Sequence, residues 1–243
     1  MTLKQYLNEI VNFLKNYLNR SKAKGYTLGL SGGVDSALTL ALLLKATKKE
    51  NIHVVIMPIE SNPLDQKLAI KQCKKFNIKY DLIDLTSSYR KLKKDISNIH
   101  PLNKLSESNI KVRLRMVTLY AIAQKENSLV VGTDNLDERY VGYFTKFGDG
   151  AADILPISKL TKGEVYEASK MMGVIKEIIN RAPSAGLFLN QKDEDDLNVK
   201  YRELDKYLLN QKVSKKDAER ISYLHKISEH KRKLIPEPKN FKR

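Results

Sequence analysis

Residues 26–46 read YTLGLSGGVDSALTLALLLKA, and this run constrains the chain more than any other part of it. YTLGL has the near-continuous apolar character of a buried strand, the glycine pair marks a tight turn, and SALTLALLLKA reads as a helix. The alternation then repeats. IHVVIMP (residues 52–58) is a second strand, residues 65–76 a helix, and IKYDLIDL (78–85) a third strand. Strand, helix, strand, helix, strand implies an α/β fold: a doubly wound parallel sheet with flanking helices on both faces, Rossmann-like in its winding. Ligands of such sheets sit at the carboxyl ends of the strands.

The remaining chain fits around that unit. Leu3, Leu7, Ile10, Leu14 and Leu18 recur at helical spacing, so residues 2–20 form an amphipathic helix that covers something larger. After a polar stretch at 97–107, a long helix runs to about Glu126, and SLVVGT (128–133) supplies another strand. That helix has two apolar stripes, Ile110, Leu114, Val117 and Ala121 on one side and Val112, Met116, Leu119 and Ala123 on the other. One can cover the sheet. The other is buried either within the monomer or against a partner subunit. YRELDKYLL and KKDAERISYLHKI read as two short helices, and PEPKNFKR as a loose tail.

With 44 Lys and Arg against 28 Asp and Glu, the net charge of +16 suits nucleic acid, anionic lipid or a polyanionic small substrate, and equally a solvated lysine-rich surface. Cys73 is the only cysteine, so an intrachain disulfide and a cysteine metal cluster are excluded and a reducing compartment fits. The N-terminal segment lacks the features of a signal peptide, and no later segment is apolar for the ~20 residues a membrane span needs. The expectation is a cytoplasmic protein with no membrane partner.

Gly29, Leu30, Ser31, Gly32, Gly33, Val34, Asp35 and Ser36 lie between the first strand and its helix. Glycines there let the backbone turn tightly and present N–H groups to an anion, and the helix N-terminus adds its positive dipole end. This makes a phosphate cradle, although it is neither a Walker A loop nor G-x-G-x-x-G. The plainer alternative is an ordinary strand-to-helix connection with Asp35 and Ser36 as helix caps.

SGGVDS resembles the signature of the ATP pyrophosphatases. Together with KVRLRM, VVGTDNLDERYVGYFTKFGDGAADILPISKLTK, APSAGL and SEHKR, in that order, it resembles the bacterial ammonia-dependent NAD synthetases over nearly the whole chain. The resemblance implies one domain over 1–243, with a covering helix at 2–20, a nucleotide-binding core at about 25–180, and C-terminal helices and tail at about 195–243. Asp35 and Glu138 would share a Mg²⁺, whose preference for carboxylate oxygen they satisfy. Residues 29–36, Thr133, Lys162 and Ser184 would contact ATP. Asp35, Glu138 and Lys162 form the implied catalytic set. Arg113, Lys146, Asp153, His230 and Lys231 would bind deamido-NAD. Read singly, Glu138 would be an exposed helix carboxylate, and Arg113 and Lys146 surface charges.

The implied reaction is the ATP-dependent amidation of deamido-NAD with ammonia, giving NAD, AMP and pyrophosphate through an adenylated carboxylate. It needs no side-chain nucleophile, and Cys73 in its lysine-rich helix does not resemble the nucleophile of a glutamine-hydrolysing domain. ATP, deamido-NAD and ammonia are therefore the expected partners, in a homodimer and without nucleic acid. Polar stretches at 97–107 and 185–199 fall where the family closes mobile loops over its substrates, although QKDEDDLN could equally be a solvated acidic loop. Two rivals stay open: an RNA-adenylating pyrophosphatase, for which no added RNA-binding module is visible, and a non-catalytic nucleotide-binding module of the same fold.

Overall fold

In the computed structural model, which describes residues 1–183 and 193–239, β1 (Gly25–Gly29), β2 (Ile52–Ile56), β3 (Asp81–Leu82) and β4 (Ser128–Val131) form one sheet in the order β3-β2-β1-β4. Every pairing is parallel, with Tyr26 opposite Ile52 on one side and Leu129 on the other. The chain therefore steps outward from β1 through β2 to β3 and then crosses back to place β4 on the far side of β1. That reversal opens a crevice at the carboxyl ends of β1 and β4.

α1 (Leu3–Ser21) precedes the sheet, and the crossovers come from α2 (Val34–Ala46), α3 (Pro63–Phe76), α4 (Thr86–Ser97) and α5 (Lys104–Glu126). After β4 follow α6 (Leu136–Val141), α7 (Lys162–Met171), α8 (Lys176–Ile179), α9 (Asp193–Leu197), α10 (Tyr201–Leu208) and α11 (Lys215–Ile227). Strand alternation sorts them into layers. The Tyr26 hydroxyl donates to the Leu14 carbonyl of α1 at 2.6 Å. On the opposite face, a Cβ added to Gly29 would lie 3.3 Å from Leu119 of α5. Helices thus cover both faces, as the alternation of strands and helices requires.

Leu7, Ile10, Leu14 and Leu18 are buried, so α1 covers the core with the stripe read from its sequence. Beneath it α2 buries Val34, Ser36 and every residue from Ala37 to Leu43, because it lies between α1, α7 and the sheet. A second cluster, including Val141, Leu204 and Ile221, joins α6 to α10 and α11. On α5, Val112 and Ala123 are buried on the sheet side, whereas Val117 of the other stripe is 59% exposed. Of the two readings of that helix, burial of both stripes within the monomer fails.

Three expectations are corrected. The strand expected over 78–85 has only the two ladder residues of β3, although Ile83 and Leu85 continue as single hydrogen bonds to Ile56 and Pro58. The polar residues 86–97 form α4, which the sequence reading missed because Tyr89 is its only fully buried side chain. The stretch at 97–107 is partly helical: α4 ends at Ser97, Asn103 accepts from the Ser106 N–H and starts α5 at Lys104, and 98–103 form the connection.

Replacing Leu14 by Ala is expected to lower stability by about 2–5 kcal/mol, since it empties a fully enclosed site between α1 and the sheet. Urea unfolding of the two proteins measures the difference.

Candidate active site

The loop after β1 is held from both sides. Leu30 N–H donates to the Val55 carbonyl at 2.9 Å, and the Ser31 and Ser36 hydroxyls pair at 3.1 Å. Gly32 adopts φ +84°, and a Cβ there would stand 2.3 Å from the Asp65 carbonyl oxygen, so only glycine fits. Gly33 is the N-cap of α2 and supplies no side-chain cap. The alternative role of Asp35 as a helix cap therefore fails. The first amides of α2 instead face a cavity lined by residues 29–36, Thr133, Glu138 and Lys162, at the crevice set by the strand order.

Charge converges on one point of that cavity. Lys162 Nζ lies 2.7 Å from Asp35 Oδ2 and 3.0 Å from Glu138 Oε1, and the lysine is 3% exposed. Each carboxylate is oriented by its other oxygen. Asn135 Nδ2 donates to Asp35 Oδ1 at 2.8 Å, and the Asn135 N–H donates to Glu138 Oε2 at 3.3 Å within a capping box. Burial pushes the Glu138 carboxyl up to about 7 although the ammonium pulls it down. Burial alone would lower Lys162, but Asp35 and then Glu138 outweigh it and hold the ammonium protonated. Two carboxylates converging on one cation are oxygen donors of the kind a divalent ion such as Mg²⁺ accepts, but that position is taken by the Lys162 ammonium, and among the described residues no group of three or more metal-ligating side chains is gathered.

A carboxyl pair anchors the backbone of this centre. The Lys162 N–H donates to Asp137 Oδ2 at 2.8 Å, and the Gly163 N–H donates to Asp205 Oδ2 at 2.9 Å. The other oxygens, Asp137 Oδ1 and Asp205 Oδ1, are buried and find no ordinary donor. Two acceptors side by side need a proton between them. Burial, reinforced by the contact with Asp205, pushes the Asp137 carboxyl up to about 9, so Asp137 holds it.

The residues expected at the acceptor fall into different groups. Arg113 donates to the Lys146 carbonyl at 3.3 Å, and Lys146 Nζ donates to the His230 carbonyl at 2.8 Å, so these three form one chain at the surface. Lys231 Nζ donates to the carbonyls of Gly142 and Phe144, both at 2.8 Å, and burial lowers its ammonium. Asp153 is exposed and stands apart from both groups, its Oδ2 accepting from the Val130 N–H at 2.7 Å. Ser184 lies outside the described residues, as does most of the stretch at 185–199.

Several wall residues escaped the sequence reading. Arg115 donates from Nε to the Met57 carbonyl at 3.0 Å and from its terminal nitrogen to Ser61 Oγ at 3.1 Å, with burial lowering it to about 10. Its signal was available: it is spaced at i, i+3, i+4 and i+7 with Val112, Met116 and Leu119, on the stripe that faces the sheet. Asp193, from the acidic run, is 3% exposed and accepts from the Tyr143 hydroxyl at 3.2 Å. The solvated-loop alternative fails for that residue. Asp134 and Asp149 also line the cavity, and burial pushes both carboxyls up, Asp134 well above the carboxylate range.

Because Asp137 is raised on folding, the folded protein holds a proton that the unfolded chain releases near pH 4. Its contribution to stability is therefore complete below that point and is lost as pH rises toward about 9. Asp137→Asn, which offers a carbonyl to Lys162 N–H and an amide to Asp205, is expected to flatten this decline. Urea midpoints measured from pH 5 to 9 for both proteins give the comparison.

A family model described as NAD synthase matches residues 6–235. The NH3-dependent NAD(+) synthetase of Mesoplasma florum is 45% identical, with 100% of each chain covered. Among solved structures, an NMN synthetase from Francisella tularensis superposes with a TM-score of 0.94 at 40% identity, over 99% of this chain and 100% of that one. An NH3-dependent NAD synthetase from Campylobacter jejuni gives 0.82 at 27% identity, over 98% and 100%. These likenesses fit a sheet wound as in the ATP pyrophosphatases. The match over residues 6–235 spans the glycine loop, the charge centre and the helices α10 and α11, and the chain belongs to the NAD synthase family.

Proposed function

We propose that this protein is an ammonia-dependent NAD synthetase, a carbon–nitrogen ligase that consumes ATP to amidate deamido-NAD at the last step of NAD formation. The observation that carries the reading is the Lys162 ammonium, fixed between Asp35 and Glu138 beside the amides of the glycine loop in one cavity. The loop amides and Lys162 hold the pyrophosphate end of ATP, and Thr133 and Ser184 contact the nucleotide. A nicotinate carboxylate oxygen attacks the α-phosphorus as the bond to pyrophosphate breaks. Lys162 and the loop N–H groups stabilise the charge that develops on that leaving group. Ammonia then attacks the activated carbonyl, loses a proton, and displaces AMP. Asp35 and Glu138 would hold Mg²⁺, which when bound supplies further neutralisation of the phosphates.

Free ammonia is the donor in this scheme. Cys73 is fully buried and burial pushes its thiol up to about 11, so it is neither accessible nor ionised for glutamine hydrolysis. Arg113, Lys146, His230 and Lys231, which lie outside the cavity lining, would gather deamido-NAD, and Asp153 would contribute from beside β4. The exposed Val117 stripe of α5 is covered by a second copy of the chain, making a homodimer. Among the described residues no helix is long and apolar enough to cross a membrane. The cytoplasm, with its ATP and reduced thiols, is where this reaction is placed.

A second acceptor is favoured by one finding, the 0.94 superposition on an NMN synthetase. The same amidation would then act on nicotinate mononucleotide, which presents the same ring carboxylate without the second nucleotide half.

Incubation with ATP, Mg²⁺, either acid, and ammonium or glutamine is expected to give NAD from deamido-NAD with ammonium at the highest kcat/KM. A preference for the mononucleotide would establish the second acceptor, and no amide from either acid would overturn the reading. Asp35→Asn is expected to lower kcat by about 100-fold or more while the fold is retained, as for removal of a fixed charge from such a site. Unchanged turnover would remove Asp35 from the catalytic set.

A further inference from the structure

We propose that Tyr201 and Asp205, one turn apart on α10, are positioning residues that aim Lys162, and that α10 thereby acts on ATP binding without touching the nucleotide. The inference rests on the reading in which Lys162 contacts ATP.

Lys162 opens α7, so its backbone direction is set by the first turn of that helix. The neighbouring Gly163 N–H is one of the amides that a helix start leaves without an internal partner, and Asp205 fills that place at 2.9 Å. The approach is close enough to select the residue type. A Cβ on Gly163 would lie 2.5 Å from Asp205 Oδ2. The N–H of Lys162 itself is held by Asp137 at 2.8 Å, so the first two amides of α7 are both fixed by carboxylates.

Tyr201 acts at the other end of the same side chain. Lys162 Nζ stands 4.9 Å from the centre of the Tyr201 ring, and both residues are buried. A ring face attracts an ammonium without adding a negative charge, so it fixes the lysine beside two carboxylates without competing with them. The ring is itself held: its hydroxyl donates to Asp193 at 3.2 Å, and its backbone N–H donates to Glu194 at 2.9 Å. Leu204, between the two residues, is fully buried in the cluster with α6 and α11, so α10 cannot shift independently of the charge centre. One helix therefore grips both the root and the tip of Lys162.

The test measures ATP affinity by calorimetry in the presence of Mg²⁺, which does not depend on which acid is the acceptor. Tyr201→Leu and Asp205→Ala are each expected to weaken ATP binding by about 3- to 30-fold, the range for a buried ring contact and a helix-start acceptor. Tyr201→Phe keeps the ring, and Asp205→Asn keeps an acceptor for the Gly163 N–H. These two should recover most of the loss. In a Lys162→Met background, Tyr201→Leu and Asp205→Ala should weaken ATP no further, because they act through the ammonium. Losses that persist in that background, or folded variants that bind ATP as the parent does, would overturn the positioning role and leave the proposed function standing. A parent protein that binds no ATP would overturn both.

Discussion

One buried ammonium shared by two carboxylates determines how the centre of this molecule is assembled. Asp35 comes from the first turn of α2, Glu138 from α6, and Lys162 from α7, the two carboxylates lying 127 and 24 residues along the chain from the lysine. Without the cation, two carboxylates would face each other in a poorly solvated crevice, and burial already raises one of them. Such an arrangement is a weak source of net stability, because desolvation offsets most of the attraction. Its value is chemical. The ammonium stays charged, stays in place, and stands beside backbone amides that already favour an anion.

The walls of the cavity are unusually acidic for a site that would receive a polyanion. Asp35, Asp134, Glu138, Asp149 and Asp193 all line it, against Lys162, Arg115 and Arg181 as the cations. Arg181 is itself paired with Asp65. Burial raises the carboxyls of Asp134, Glu138 and Asp149, and a divalent cation would offset the negative charge gathered there. The surplus of lysine lies mainly elsewhere on the chain and creates a long-range field that draws anions inward, a separate task from holding them.

Much of this organisation was legible in the sequence wherever a pattern is periodic. The α1 stripe, the buried strand at β1 and the apolar α2 follow from spacing and burial alone, and the glycine loop follows from the backbone freedom its turn requires. What failed to show lies in polar segments and in contacts distant along the chain. The α4 helix is mostly solvated, and β3 shortens because only its first residues pair with β2. Glu138 and Lys162 look like surface charges in their own segments, and only the fold brings them to Asp35. Asp205 is 68 positions beyond Asp137, and nothing local marks either as half of a proton-sharing pair. Arg115 shows the opposite case: helical spacing places it on the sheet side, two residues from the exposed Arg113.

Both margins of the sheet end in ways that limit contact with foreign strands. On one side β3 offers only two paired residues, too short a template for another molecule to extend. On the other, the backbone at 153–154 runs beside β4: Gly132 N–H is taken by Ile154, Asp153 N–H by Val130, and Val130 N–H by the Asp153 carboxylate. A negatively charged side chain thus occupies a donor that would otherwise invite strand addition. A four-stranded sheet this apolar would be prone to aggregation with open borders, and here a shortened strand on one flank and the paired backbone and carboxylate of 153–154 on the other leave little open edge for a foreign strand.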